Sequence, residues 1–183
     1  MPIFARAGGD FTPAPAGTHA AVCVDVVDLG MVTSEFAGIK KTHHKIKIVW
    51  QIDETRDDGK PFDVSQRYTL SLHSKATLRR ELESWRGRAF TEEELKEFDV
   101  ETVIGAGAML NVIHNFREGK TYANVTGVMR LMKGMPTPTP RDYVRVCDRQ
   151  KQPAQQGAGP DSTLPSEMDY DDPNAYPDDE VPF

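Results

Sequence analysis

Residues 41–52 alternate with a period of two. Ile46, Ile48, Trp50 and Ile52 fall on one side, and His43, Lys45, Lys47, Val49 and Gln51 on the other. That period predicts a strand with one face in a core and the other outside it. Residues 20–29 alternate in the same way, with Val22, Val24 and Val26 set against Cys23, Asp25 and Val27, and Gly30 predicts a bend or an end. Residues 31–40 read as a loop carrying Phe36, Gly38 and Lys40. Asp57, Asp58, Gly59 and Lys60 form a hairpin-turn signal. A third strand follows over about 62–72, with Val64, Tyr68, Leu70 and Leu72 opposite Ser65, Arg67, Thr69 and Ser71.

The period then lengthens. Leu78, Leu82 and Trp85 recur at spacings of four and three, which predicts a helix over 74–85 with Ser74 as its N-cap. Thr91 and Glu94 have capping-box spacing, and Leu95 and Phe98 give that second short helix an apolar side. Residues 108–113 and 122–131 predict two further strands, joined by a polar tip containing Asn115, Phe116, Arg117, Glu118, Gly119 and Lys120. Gly134, Pro136, Pro138 and Pro140 predict a stiff exit, after which residues 142–146 either add a last strand or pack along the body.

Three strands, a helical insertion and two strands is the order of the OB-fold, a five-stranded Greek-key barrel whose helix lies between strands 3 and 4. Other small α+β domains share that count. The expected class is therefore mainly β, an OB-fold barrel followed by a disordered acidic tail. The expected divisions are an N-terminal arm (1–16), the OB domain (17–134), a linker rich in Pro, Gly and Gln (135–177) and an acidic tip (178–183).

Charge sharpens this division. From Asp148 to the end nine acids face two bases, a balance of −7, whereas the whole chain carries −6, so residues 1–147 stand near +1. A near-neutral body still binds phosphates if its bases share a face. Cys23 and Cys147 are far apart and form no CxxC pair, so neither a zinc site nor a disulfide framework is expected. No apolar run of signal-peptide or membrane-spanning kind is present, and a soluble cytoplasmic protein is expected.

The last residues, Asp178, Asp179, Glu180, Val181, Pro182 and Phe183, set three carboxylates before a short apolar end. Such a segment has too little apolar surface to fold alone, and it suits a basic pocket with a hole for one ring. A solubilising tail is the plainer reading. The stretch resembles the acidic tip of bacterial single-stranded DNA-binding proteins. Met168, Asp169, Tyr170, Asp171 and Asp172 are similar in theme.

Residues 75–99, including Leu78, Arg79, Arg80, Leu82, Trp85, Arg86, Gly87, Phe90, Thr91 and Phe98, resemble a family of bacteriophage single-stranded DNA-binding proteins. So do residues 111–114 and 119–124, and the likeness spans most of residues 17–134. The body departs from the bacterial housekeeping proteins and shares only the type of tail with them. The resemblance implies an OB-fold that coats single-stranded DNA in replication or recombination. Its tip would recruit polymerase, primase, helicase or repair proteins, in a host cytoplasm if the chain is phage-encoded.

A single-strand binder needs cations for phosphates and aromatic faces for bases. Lys41, His43, Lys45 and Lys47 stand on the polar side of strand 2, and Arg67 stands beside them on strand 3. The flanking loops add Phe36 with Lys40, and Phe116 with Arg117, Lys120 and Tyr122. A row of lysines on a strand is equally a solvated, edge-protecting face. Trp50, Trp85 and Tyr68 read as core, and Arg79, Arg80, Arg86 and Arg88 as the solvated face of a helix.

Enzyme motifs fail. Gly119, Lys120 and Thr121 end like a P-loop, but its first glycine would fall at His114. His43 and His44 face opposite ways on a strand, and no carboxylate cluster of nuclease kind is seen. No metal, cofactor or catalytic residue is expected. The alternative to a DNA-binding protein is an OB-fold adaptor of a replisome that has no DNA affinity of its own.

Overall fold

The structure is a computed structural model and describes residues 12–36 and 39–149. The acidic tip, residues 150–177 and the first eleven residues lie outside the described residues.

Five antiparallel strands form one sheet in the order β3-β2-β1-β4-β5. They are β1 (Gly17–Phe36), β2 (Ile39–Thr55), β3 (Pro61–Thr69), β4 (Gly107–Arg117) and β5 (Lys120–Arg130). The sheet curls so that β3 and β5 approach, but no ladder joins them and it stays open. The expected five-stranded barrel is thus found only as a curled, five-stranded antiparallel sheet.

The alternation of β2 sets the core. Ile46, Ile48, Trp50 and Ile52 are buried and meet Val64 and Tyr68 from β3, Leu110 and Val112 from β4, and Val125 and Val128 from β5. Between β3 and β4 come α1 (Thr77–Arg86), α2 (Glu92–Lys96) and a 3-10 turn (Val100–Val103). Helix α1 buries Leu78, Leu82 and Trp85, each worth roughly 1.5–3 kcal/mol of apolar transfer. Trp85 meets Trp50 with ring centroids 5.9 Å apart and donates its indole N–H to the Gly107 carbonyl at 2.8 Å. The core reading of both tryptophans and of Tyr68 holds. The Tyr68 hydroxyl donates to Glu81.

Three local expectations change. Helix α1 starts at Thr77 after Ala76, which makes no side-chain cap, so Ser74 is not its N-cap. Where a loop was expected over 31–40, residues 31–36, 39 and 40 are strand: β1 and β2 stay paired out to Phe36 and Ile39. Gly30 permits this, because its φ of 69° absorbs a bulge between Asp28 and Gly30 that a β-branched residue would resist. The third is Arg86. It lies against Phe90 and Phe98 and pairs with Glu94, so it braces the insertion rather than facing solvent. Thr91 and Glu94 close their capping box as expected.

A second bulge, between Cys23 and Asp25, matters most for the outer face. Strict alternation puts Asp25 beside Cys23, on the core side. With one extra residue in β1, Cys23 pairs with Trp50 while Asp25 pairs with Val49, whose side chain points outward. Asp25 is thereby turned out of the main core, yet it is 1% exposed.

Candidate nucleic-acid interface

The outward positions of β2 are Lys45, Lys47, Val49 and Gln51, opposite Thr69, Arg67, Ser65 and Asp63 of β3. This face has two halves. At the Val49 and Gln51 end, Val22, Val24 and Val49 form a second apolar cluster with Val27 and Tyr143 against it. Residues 141–149 cover that end. The Gln51 amide accepts from the Arg141 backbone N–H at 2.8 Å and donates to its carbonyl at 2.9 Å. Asp25 accepts from the Tyr143 hydroxyl at 3.1 Å, from Arg145 Nε at 3.2 Å and from the Val146 N–H at 2.8 Å. Arg145 also reaches Glu101. The chain ends this strap in one short turn, α3 (Val146–Arg149).

Residues 135–149 were expected to begin the linker, with packing of 142–146 against the body as an option. They pack. Asp25 explains why: a carboxylate buried this deeply needs charged or N–H partners, and the strap brings three.

At the other end of the face, Lys45 and Lys47 are half-buried and Lys41 and His43 exposed, all four sharing the outward parity of β2. Lys47 is the direct cross-strand partner of Arg67. Burial lowers the pKa of Lys47, and Arg67 lowers it further, while Asp25 opposes both. Two cations side by side on a ladder repel each other. Among the described residues Lys41, Lys45, Lys47 and Arg67 make no ion pair.

Not every expected site residue joins this row. Lys40 has the opposite parity and pairs with Glu35 at 3.8 Å, in register across the β1–β2 hairpin. Phe36 ends β1, and its side chain lies outside the described residues. At the far hairpin, Glu118 and Gly119 have φ of 49° and 77° and make a two-residue turn between Arg117 and Lys120. Phe116 stands 74% exposed there. Tyr122 is half-buried opposite Asn115 and shares a face with Arg117 and Lys120, whereas Phe116 pairs with Thr121 on the other face. The two rings therefore cannot stack on one straight strand of bases from the same side of the hairpin.

Sequence patterning missed Asp25, Tyr143, Arg145 and Arg149 as parts of this face. The one local signal was a polar and aromatic stretch after a proline run.

The chain matches no protein-family model, and no curated protein sequence is similar to it. Residues alone carry the functional reading. Among the described residues, no group of three or more His, Cys, Asp or Glu could hold a metal ion, and no helix is long and apolar enough to cross a membrane.

Proposed function

We propose that this chain is a non-enzymatic, sequence-independent single-stranded DNA-binding protein of the OB-fold type. The observation that carries the proposal is the basic row Lys41, His43, Lys45, Lys47 and Arg67 on the outer face of β2 and β3, which makes no ion pair among the described residues. The β1–β2 hairpin carries one end of that row and brings Phe36; in this reading the β4–β5 hairpin adds Phe116, Arg117, Lys120 and Tyr122. The sheet order β3-β2-β1-β4-β5 is the one an OB barrel has when opened between β3 and β5, which supports that fold.

In this mechanism the cations neutralise phosphates and release counterions, so affinity falls steeply with salt. Exposed rings stack on bases without reading them. The tip, Asp178 to Phe183, recruits polymerase, primase, helicase or repair proteins during replication or recombination, in the host cytoplasm if the chain is phage-encoded. Its acids also compete with DNA for the basic row at low salt.

Anisotropy titration of labelled oligo-dT, with duplex of equal length as competitor at two salt concentrations, tests the proposal. Salt-sensitive binding that duplex does not displace supports it. No binding at low salt removes it and leaves an adaptor that meets its partners through protein contacts alone.

A further inference from the structure

The strap also changes the charge of the face it lies on. Arg149, at its end, stacks its guanidinium over the Tyr143 ring at 5.3 Å and donates Nε to the Val144 carbonyl at 2.8 Å. Its two terminal amino groups have no protein hydrogen bond among the described residues. A planar guanidinium fixed on a ring with that edge free suits a phosphate, which takes two parallel N–H donors.

Tyr143, in turn, is seated on the Val22, Val24 and Val49 cluster and tied to Asp25. Val49 is the next outward position of β2 after Lys47, so the cluster that seats this ring adjoins the Lys47–Arg67 pair along the strand. The lowered pKa of Lys47 carries a contribution from Arg149 as well as from Arg67.

Among the described residues three carboxylates enter the balance: Asp25, Asp63 and Asp148, the last next to Arg149 in the chain and with an interaction of its own. Asp25 is already saturated by three donors, one of them Arg145. Asp63, opposite Gln51, feels Arg149 and Arg56. Asp63 and Asp148 do not balance Lys47, Arg67 and Arg149, the more so because Asp63 also faces Arg56. A cluster of like charges of this kind is relieved by an anion.

We propose that Arg149 completes a phosphate-binding cluster with Lys47 and Arg67, taking a backbone phosphate of single-stranded DNA, and that Asp25 is the positioning residue holding the strap in place. This rests on the single-strand-binding reading above. The cluster joins β2, β3 and a segment about eighty residues further on, so the strap is part of the binding face and not only its cover.

The experiment is an oligo-dT titration of the full chain across salt concentrations, for wild type, Arg149→Gln, Arg149→Lys, Asp25→Asn and Lys96→Gln. Losing one phosphate contact lowers the slope of log K against log salt by about 0.7 and the affinity at 0.1 M salt by about fivefold. Arg149→Gln shows that loss, Arg149→Lys keeps the slope, and Lys96→Gln on α2 keeps both.

Asp25→Asn is the sharper test, because its sign is opposite to simple charge counting. Removing an acid from a basic face should tighten DNA binding. If the carboxylate positions Arg149, binding weakens instead, and the Asp25→Asn, Arg149→Gln double variant is no weaker than either single one. Wild type that fails to bind overturns the single-strand reading and this inference with it. Wild type that binds, with Arg149→Gln unchanged in slope, overturns the inference alone.

Discussion

The Tyr143 hydroxyl donates to Asp25 at 3.1 Å across 118 residues of chain. This bond closes the strap onto the sheet, and the pKa of the phenol is raised by burial and then by the Asp25 charge. Tyr143→Phe removes one hydrogen bond to a buried carboxylate, a loss of about 1.5–3 kcal/mol. Urea unfolding should show a lower midpoint at unchanged m. An unchanged midpoint would mean that Arg145 and the Val146 N–H hold the strap by themselves.

Two truncations separate strap from tail. A chain stopped after Arg149 keeps every described contact and should unfold at the full-length midpoint. A chain stopped after Gly134 uncovers Val22, Val24 and Val49 and strips Asp25 of its partners, at a cost of about 2–4 kcal/mol. The chain stopped after Arg149 should also bind oligo-dT more tightly than full length at low salt, with the gain fading as salt rises. Equal affinity at low salt would rule out competition by the tail.

Glu94 gives the insertion a dependence on acid. The Thr91 N–H, Arg86 and Arg88 hold its pKa down, from 4.5 to about 2. A carboxylate with a depressed folded-state pKa contributes stability above its unfolded value and loses it as pH falls through the folded one. The contribution is therefore complete above about pH 4.5 and is lost between there and about pH 2. Thermal melts across that window should fall more for wild type than for Glu94→Gln. Parallel pH curves would assign acid sensitivity to other groups.

The two thiols should differ. Cys23 is buried in the core beside Trp50, and burial pushes its pKa up to about 12. A buried thiol that stays protonated is a poor nucleophile. Cys147 is exposed on the strap. A colorimetric thiol reagent should titrate one cysteine in the native protein and two in guanidinium chloride. Two fast-reacting thiols in the native protein would mean that β1 opens readily.

Phe116 stands largely in solvent at a hairpin tip, so Phe116→Ala should leave the melting temperature within about a degree. If it stacks on a base, oligo-dT affinity falls by about 1–3 kcal/mol, with the salt slope unchanged. Loss of slope without loss of stacking energy would point to Arg117 and Lys120 acting in its place.

The sequence by itself determined the five strands, the insertion between the third and fourth, the capping box and the core positions of Ile46, Ile48, Trp50, Tyr68 and Trp85. Each of these depends on near neighbours: a period of two, a period of 3.6, or a cap and its partner three residues on. The basic row was legible for the same reason, because Lys41, His43, Lys45 and Lys47 share a parity. Only the tertiary structure decided that Arg67 stands directly opposite Lys47, that Lys40 turns away to Glu35, and that Phe116 and Tyr122 face opposite sides. Those facts are registers between strands, and a single residue more or fewer inverts them. The bulge that turns Asp25 outward is the clearest case. One extra residue in β1 gives the face a buried carboxylate, and that carboxylate recruits Tyr143, Arg145 and the Val146 amide from far along the chain. No local pattern encodes that pairing, because its cause is the cost of leaving a buried charge without partners.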